Sequence, residues 1–392
     1  MILRGDIYTS EQCIQNGYMK VEGKTITAIS SEPMSPKTNE PVLDYSGHMI
    51  VPGFINVHIH GGAGSDAMDA TREAVEAIAA DQVRQGVTTF LLTTLSADRV
   101  TLRQVLANFS AILSEPLQGA QIGGIHVEGP FISLEKKGAQ SEEAIRDYDH
   151  VNTLDELKQF VEISGGTIRL ITLAPERQDA EALVRFAAER NIVVSLGHSC
   201  ASFEQARQAI EWGARHATHT FNGMPPIHHR QPGLLTAVML DDRVYTEMIA
   251  DGVHLNPAIC QLLLRVKGED KVILITDALR CAGMPDGDYV FSDQQVTKSG
   301  KYVYIRGKVG ETLAGSILDM NRGVEILVKQ AGYTRQQAIK AASANPARAL
   351  GIDDTKGDLA PGKDADIVIL NEGFDVQSVF IQGVEADRHG SP

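Results

Sequence analysis

The strongest constraint on this chain is a repeated alternation: short, strongly apolar runs separated by stretches of helical period. The runs cover 50–60, 87–95, 121–130, 167–174, 191–197, 216–221, 245–251 and 271–277. Helical stretches over 72–85, 99–113, 154–162, 180–190, 202–212 and 257–267 fall between them. A run such as Val272-Ile273-Leu274-Ile275 is apolar at every position, which suits a parallel strand covered on both faces. Eight such alternations predict an α/β fold, a (β/α)8 TIM-like barrel. A doubly wound open sheet is the alternative, but no run is followed by the GxGxxG turn that such sheets use for dinucleotides.

The ends of the chain read differently. Residues 1–48 hold alternating apolar positions broken by turn signals at Asn16-Gly17 and Glu22-Gly23-Lys24, with a Pro- and Ser-rich loop over 31–41. Leu359 to Leu370 reads as a turn and then a strand. The two ends are expected to pair into one small β-sandwich domain, 1–50 plus 357–392, beside a barrel domain over 51–356. Within the barrel domain, 288–292, 295–299 and 301–309 read as short antiparallel strands, an insertion near 286–312 on the loop face. A helix is expected over 317–329. Another opens at Thr334, where Gln337 three residues on completes a capping-box pattern.

Composition narrows the partners. With 392 residues and a formal net charge of −14, the chain is not expected to bind nucleic acid or an anionic membrane, although a local cationic pocket stays compatible with that total. Cys13, Cys200, Cys260 and Cys281 form no CxxC pair, so neither a disulfide framework nor a cysteine zinc site is expected. Cys200, two residues from His198, reads as a structural thiol. No basic-then-apolar leader opens the sequence and no run of 18 apolar residues occurs, so the expected location is the cytoplasm.

In barrels of this kind the reactive residues sit at the C-terminal ends of the strands. The first run ends in Asn56-Val57-His58-Ile59-His60-Gly61, the third in His126-Val127-Glu128-Gly129-Pro130, the fifth at His198, the sixth at His219 and the eighth at Asp277. In an extended strand, positions i and i+2 face the same way, so His58 and His60 would project together. Imidazole and carboxylate donors suit Zn²⁺, and also Fe²⁺, Mn²⁺ or Co²⁺. Glu128, His198 and His219 would give the three protein ligands usual for a catalytic zinc. His58 and His60 would hold a second ion, with Glu128 bridging. Asp277, beside an activated water, is placed to act as general base and then as general acid.

Pro52-Gly53-Phe54-Ile55-Asn56-Val57-His58-Ile59-His60-Gly61 and the rim pattern resemble the amidohydrolase superfamily. Many of its members bridge two metals with a carboxylated lysine on the fourth strand. Here that strand, Thr167 to Pro175, has no lysine, and the carboxylate is Glu128. With Leu173-Ala174-Pro175-Glu176, Gly197-His198-Ser199, Thr218-His219-Thr220-Phe221-Asn222-Gly223-Met224 and Ala250-Asp251-Gly252-Val253-His254, the chain resembles the N-acetylglucosamine-6-phosphate deacetylases over nearly its whole length. The resemblance implies hydrolysis of an N-acetyl amide to acetate and an amino-sugar phosphate, and a homodimer. It implies that Asn222, Gly223, Arg230 and His254 contact the sugar phosphate, Arg230 across a dimer interface, and that Leu313, Ala314 and Gly315 line the sugar pocket. In the loop Lys136-Lys137-Gly138-Ala139-Gln140, family members commonly carry His where this chain has Gln140. Ala139 and Gln140 are therefore expected at the substrate, with Gln140 able to donate a hydrogen bond but not to carry charge. The retained pair His58 and His60 implies capacity for two ions. Rival readings are an N-acetylgalactosamine-6-phosphate deacetylase, a cyclic-amide hydrolase, and a sugar-phosphate-binding regulatory protein without catalysis.

Overall fold

The computed structural model describes residues 1–146, 152–291, 294–307 and 312–387. All eight apolar runs supply strands of one parallel sheet: Phe54–Asn56, Val87–Thr94, Gln121–Glu128, Ile168–Leu173, Val193–Leu196, His216–Ala217, Tyr245–Ile249 and Val272–Ile275. Each pairs with the next in sequence order. Helices follow the strands and pack outside, as the right-handed crossover of parallel strands requires. Arg72–Arg84, Arg99–Leu113, Thr153–Ile163, Ala180–Ala188, Phe203–Trp212 and Pro257–Lys267 match the expected stretches.

The eighth and first strands share no ladder. Asn56 bridges them with its side chain: Nδ2 donates to Thr276 Oγ1 at 2.8 Å, and Oδ1 accepts the Thr276 N–H at 3.4 Å. At the mouth the Asp277 N–H donates to His58 O at 2.9 Å and the His60 N–H to Ala278 O at 3.0 Å. An amide side chain and a few main-chain bonds thus stand in for the missing rungs.

The first run, expected as one strand over 50–60, is divided. Its start belongs to Val42–Pro52 of a second sheet, and Gly53 alone separates that strand from Phe54–Asn56. A Cβ on Gly53 would overlap the Thr88 side chain, so the chain crosses between sheets where only glycine fits. His58 and His60 lie beyond the strand, yet their rings stay close, with centroids 5.2 Å apart. A further helix, Gly233–Leu240, fills the sixth crossover. Its run GLLTAVML has no polar face, so it carries no amphipathic signal.

Both termini enter the second sheet, of seven strands, in which Ile2–Tyr8 and Ile367–Leu370 flank Val42–Pro52. The sheet curls until Thr25 bridges Asp364 and Gly383 lies on Gly23. Leu3, Met19, Ile26, Ile50, Ile369 and Phe380 pack between its two halves. The insertion is a three-stranded antiparallel sheet, Gly287–Phe291, Gln294–Ser299 and Tyr302–Ile305. The parts of those expected strands at Ser292, Lys308 and Val309 lie outside the described residues. Phe291 sets its ring edge-on to His60 at 5.8 Å, which puts the insertion over the C-terminal mouth of the barrel. The helix expected from 317 begins at Met320, because Ile317 and Leu318 lead in to Asp319 at its N-cap. Thr334 forms the capping box with Gln337.

Candidate metal centre

Glu128 ends the third barrel strand and is 2 % exposed. Four imidazole Nε2 atoms surround its carboxylate. Those of His198, His219 and His58 stand 3.2, 3.3 and 3.4 Å from Oε1, and that of His60 stands 3.2 Å from Oε2. Asp277 completes the ring, its Oδ1 3.1 Å from His60 Nε2 and 3.4 Å from His58 Nε2. The six residues expected from the strand ends therefore meet. They form two groups able to hold an ion, His58–His60–Asp277 and Glu128–His198–His219.

The hydrogen bonds behind the rings fix which nitrogen carries the proton. His198 Nδ1 donates to Lys136 O at 2.7 Å and His219 Nδ1 to Asn222 O at 3.2 Å. A neutral imidazole has one N–H, so both Nε2 lone pairs face inward, 3.0 Å apart and beside a carboxylate oxygen. A metal ion, or a proton on one of the rings, makes that arrangement favourable. The buried Nε2 of His58, which faces this centre, has no hydrogen-bond partner, which agrees with a centre built for a metal rather than for an internal network.

The electrostatics point the same way. Burial disfavours charge on His58, His60 and His198, yet the carboxylates outweigh it and raise all three, His60 to about 9. Burial likewise opposes ionisation of Glu128 and Asp277, and the surrounding imidazoles hold both below the ordinary carboxylate range. The pocket thus stabilises anions and demands positive charge. His198, His219 and Asp277 all have positive φ, at 47°, 27° and 50°. Conformations of this kind cost about 1–3 kcal/mol each and tend to collect at working sites.

The centre forms the floor of a cavity of ≈ 310 Å³. Ala139, Gln140, Asn222, Gly223, His254, Leu313, Ala314 and Gly315 are among the residues that line it. Gly223 has φ 64°, and a Cβ there would crowd His198 Nδ1 at 3.3 Å, so a larger residue would press on a ligand. His254 is oriented by Asp251, 2.7 Å from its Nδ1. Gln140 does more than line the cavity. Its Nε2 donates to Glu128 Oε2 at 2.8 Å and its Oε1 accepts the Ser96 N–H at 2.7 Å, so both ends are committed. Arg230 is not brought in. It is exposed beside His229, and among the described residues no Lys or Arg lines the cavity.

Sequence reasoning missed the layer beneath. His126, two residues before Glu128, is buried with its ring edge-on to His58 at 4.6 Å, and its Nε2 meets Thr172 Oγ1 at 2.8 Å. Burial, then His58, depress its pKa well below the ordinary value, so this ring is neutral. Glu247 is fully buried behind His58. Its signal was available: an acid inside the otherwise uncharged strand Tyr245–Ile249 needs a buried partner.

Together, the barrel, the two clusters at its mouth and the sheet built from both termini define a metal-dependent hydrolase class. Residues 49–386 match the Amidohydrolase family, and the chain belongs to it. Among its relatives, the N-acetylglucosamine-6-phosphate deacetylase of Bacillus subtilis (strain 168) is 36 % identical over 96 % of this chain and 94 % of its own length. The N-acetylgalactosamine-6-phosphate deacetylase of Escherichia coli O157:H7 is also 36 % identical, over 96 % of each. Among solved structures, an aspartate-to-alanine mutant of N-acetyl-D-glucosamine-6-phosphate deacetylase from Mycobacterium smegmatis, in complex with N-acetyl-D-glucosamine-6-phosphate, superposes with a TM-score of 0.92. It is 31 % identical and covers 98 % of each chain.

Proposed function

We infer that the protein is a metal-dependent deacetylase of amino-sugar metabolism, which hydrolyses N-acetyl-D-glucosamine 6-phosphate to D-glucosamine 6-phosphate and acetate. The observation that carries this reading is the set of inward Nε2 lone pairs around Glu128 on the floor of a sugar-sized cavity. Glu128, His198 and His219 would hold one divalent ion, with Zn²⁺ the best match to the donors. His58 and His60 would hold a second, sharing Glu128. Bound there, the metal supplies an ionisable water and a Lewis acid for the amide carbonyl.

The protein's own groups do the rest. Asp277 Oδ1 takes a proton from the attacking water as the carbon–oxygen bond forms. It returns that proton to the sugar nitrogen as the carbon–nitrogen bond breaks, releasing acetate and the amine. Gln140 holds the Glu128 carboxylate in place. Ala139 and Leu313-Ala314-Gly315 line the sugar, and Asn222, Gly223 and His254 bind toward the phosphate. An anionic substrate calls for a cation, and among the described residues no Lys or Arg lines the cavity. Exposed Arg230 would supply it to the cavity of a second copy, in a homodimer. Among the described residues no helix is long and apolar enough to cross a membrane, and the cytoplasm is the proposed location.

A second reading, deacetylation of the galactosamine epimer, has the support of the equally similar Escherichia coli relative. Acetate release from the 6-phosphates of N-acetylglucosamine and N-acetylgalactosamine, and from unphosphorylated N-acetylglucosamine, separates the two. The expected order puts the glucosamine phosphate first in kcat/KM. Metal-loaded protein that binds these sugars and releases no acetate from any of them would leave only a sugar-phosphate-binding role.

A further inference from the structure

One buried anion touches both ligand groups from behind. Glu247 lies on the seventh barrel strand, outside the set that lines the cavity. Its Oε2 stands 3.1 Å from His58 Nδ1 and accepts the main-chain N–H of His219 at 2.9 Å. Its Oε1 has no hydrogen-bond partner and is 3.7 Å from His216 Nδ1. We propose that Glu247 is a positioning residue for the metal pair: it commits the Nδ1 proton of His58, which aims the Nε2 lone pair at the ion, and it ties that ring to the His219 main chain. The proposal rests on the two-ion reading above.

The chemistry follows from valence. An ionised carboxylate can only accept hydrogen bonds. Facing Nδ1, it keeps the single proton of a neutral imidazole on that nitrogen and leaves Nε2 bare. That Nε2 is 3.4 Å from oxygens of both Glu128 and Asp277, where an ion shared with them would sit. A carboxylate behind a metal-bound imidazole fixes the ring and raises its basicity, and losing it typically costs roughly 10–100-fold in metal affinity. Merely filling the barrel would not require a charge, because a fully buried carboxylate is costly unless it is paired. The second contact adds a link. His219 Nε2 belongs to the other ligand group, so the same oxygen fixes one ring of the first group and the backbone of the second.

Metal-free wild type, Glu247→Gln, His58→Ala and the double variant, each checked for folding by thermal melt, are titrated with Zn²⁺ against a chromogenic chelator. Glutamine keeps the size and an acceptor oxygen while removing the charge. The expected result is two ions in wild type, one of them bound roughly 10-fold or more weakly in Glu247→Gln. The single ion left in His58→Ala should bind equally well with or without Glu247. Wild-type affinity for both ions in Glu247→Gln overturns the proposal, and so does a loss of the same size when His58 is already absent. If wild type binds only one ion, the two-ion reading fails and this proposal falls with it; if His58→Ala still binds two, His58 is not needed for the second ion and the proposal is overturned while the two-ion reading stands. Should Glu247→Gln not fold, Glu247→Asp, which keeps the charge but withdraws the oxygens by one methylene, is read by the same outcomes.

Discussion

Replacing Asp277 by Asn tests the proposed proton transfer with little disturbance elsewhere. Asp277 sits at φ 50°, a left-handed conformation that asparagine tolerates better than most residues. Its main chain is fixed on both sides: its N–H donates to His58 O and its carbonyl accepts from Ser316 N, each at 2.9 Å. Backbone and side-chain volume therefore survive the substitution. What goes is a carboxylate that His58 and His60, against the effect of burial, hold below its ordinary pKa and so ionised at neutral pH. An amide in its place cannot accept the proton. Positioned proton transfer contributes on the order of 10²–10⁴ in rate, which is about 3–5 kcal/mol of barrier. Glu128, His198 and His219 are untouched, so the variant should keep the ion they hold. Steady-state acetate release should show kcat lower by that factor with KM changed only a few-fold. A kcat within tenfold of wild type, with the same bound metal, would refute the assignment of Asp277 as base and acid.

Gln140→Leu removes the donor to Glu128 and the acceptor for Ser96; a hydrogen bond to a charged group is worth about 1.5–3 kcal/mol, so the melting temperature should fall and, with Glu128 no longer held, kcat/KM should fall as well, and an unaltered kcat/KM would make the clamp irrelevant. Gly53→Ala forces a methyl into Thr88 and should destabilise by about 1–3 kcal/mol, measured as a lower melting temperature; unchanged stability would contradict the tight crossing. Asp319 is pushed up from 3.8 to about 6, by burial first and then by the neighbouring Asp81. Its folded pKa exceeds its unfolded one, so stability falls as pH rises from about 4 through 6. Asp319→Asn should therefore melt higher than wild type at pH 8, by at most about 3 kcal/mol at 1.36 kcal/mol per pH unit, and match it near pH 4. The same gain at both pH values would show that the charge is not responsible.

The barrel was legible because strands such as Val87–Thr94, Ile168–Leu173 and Val272–Ile275 are apolar enough to state their own burial, and the rim because ligating side chains at strand ends have few structural uses. Other features depend on contacts that no local pattern encodes. Gly53 looks like any glycine in an apolar run; only the approach of Thr88 makes it the crossing point between two sheets. Helix Gly233–Leu240 is apolar on every side, so periodicity could not mark it. Gln140 could be placed near the substrate by resemblance, but its grip on Glu128 depends on a loop folding back over 12 residues. Arg230 shows the opposite limit. Expected at the phosphate from the resemblance, it is exposed and lies outside the cavity.

The join between the first and eighth barrel strands has a kinetic consequence. Asn56 and Thr276 are 220 residues apart, and contacts so distant in sequence form only after a large loss of chain entropy. The seven neighbouring strand pairs can zip one after another, but this last closure must await the whole cylinder. His58, His60 and Asp277 stand directly above it. On refolding, secondary structure and much of the core should return first, and turnover last, as the cylinder shuts.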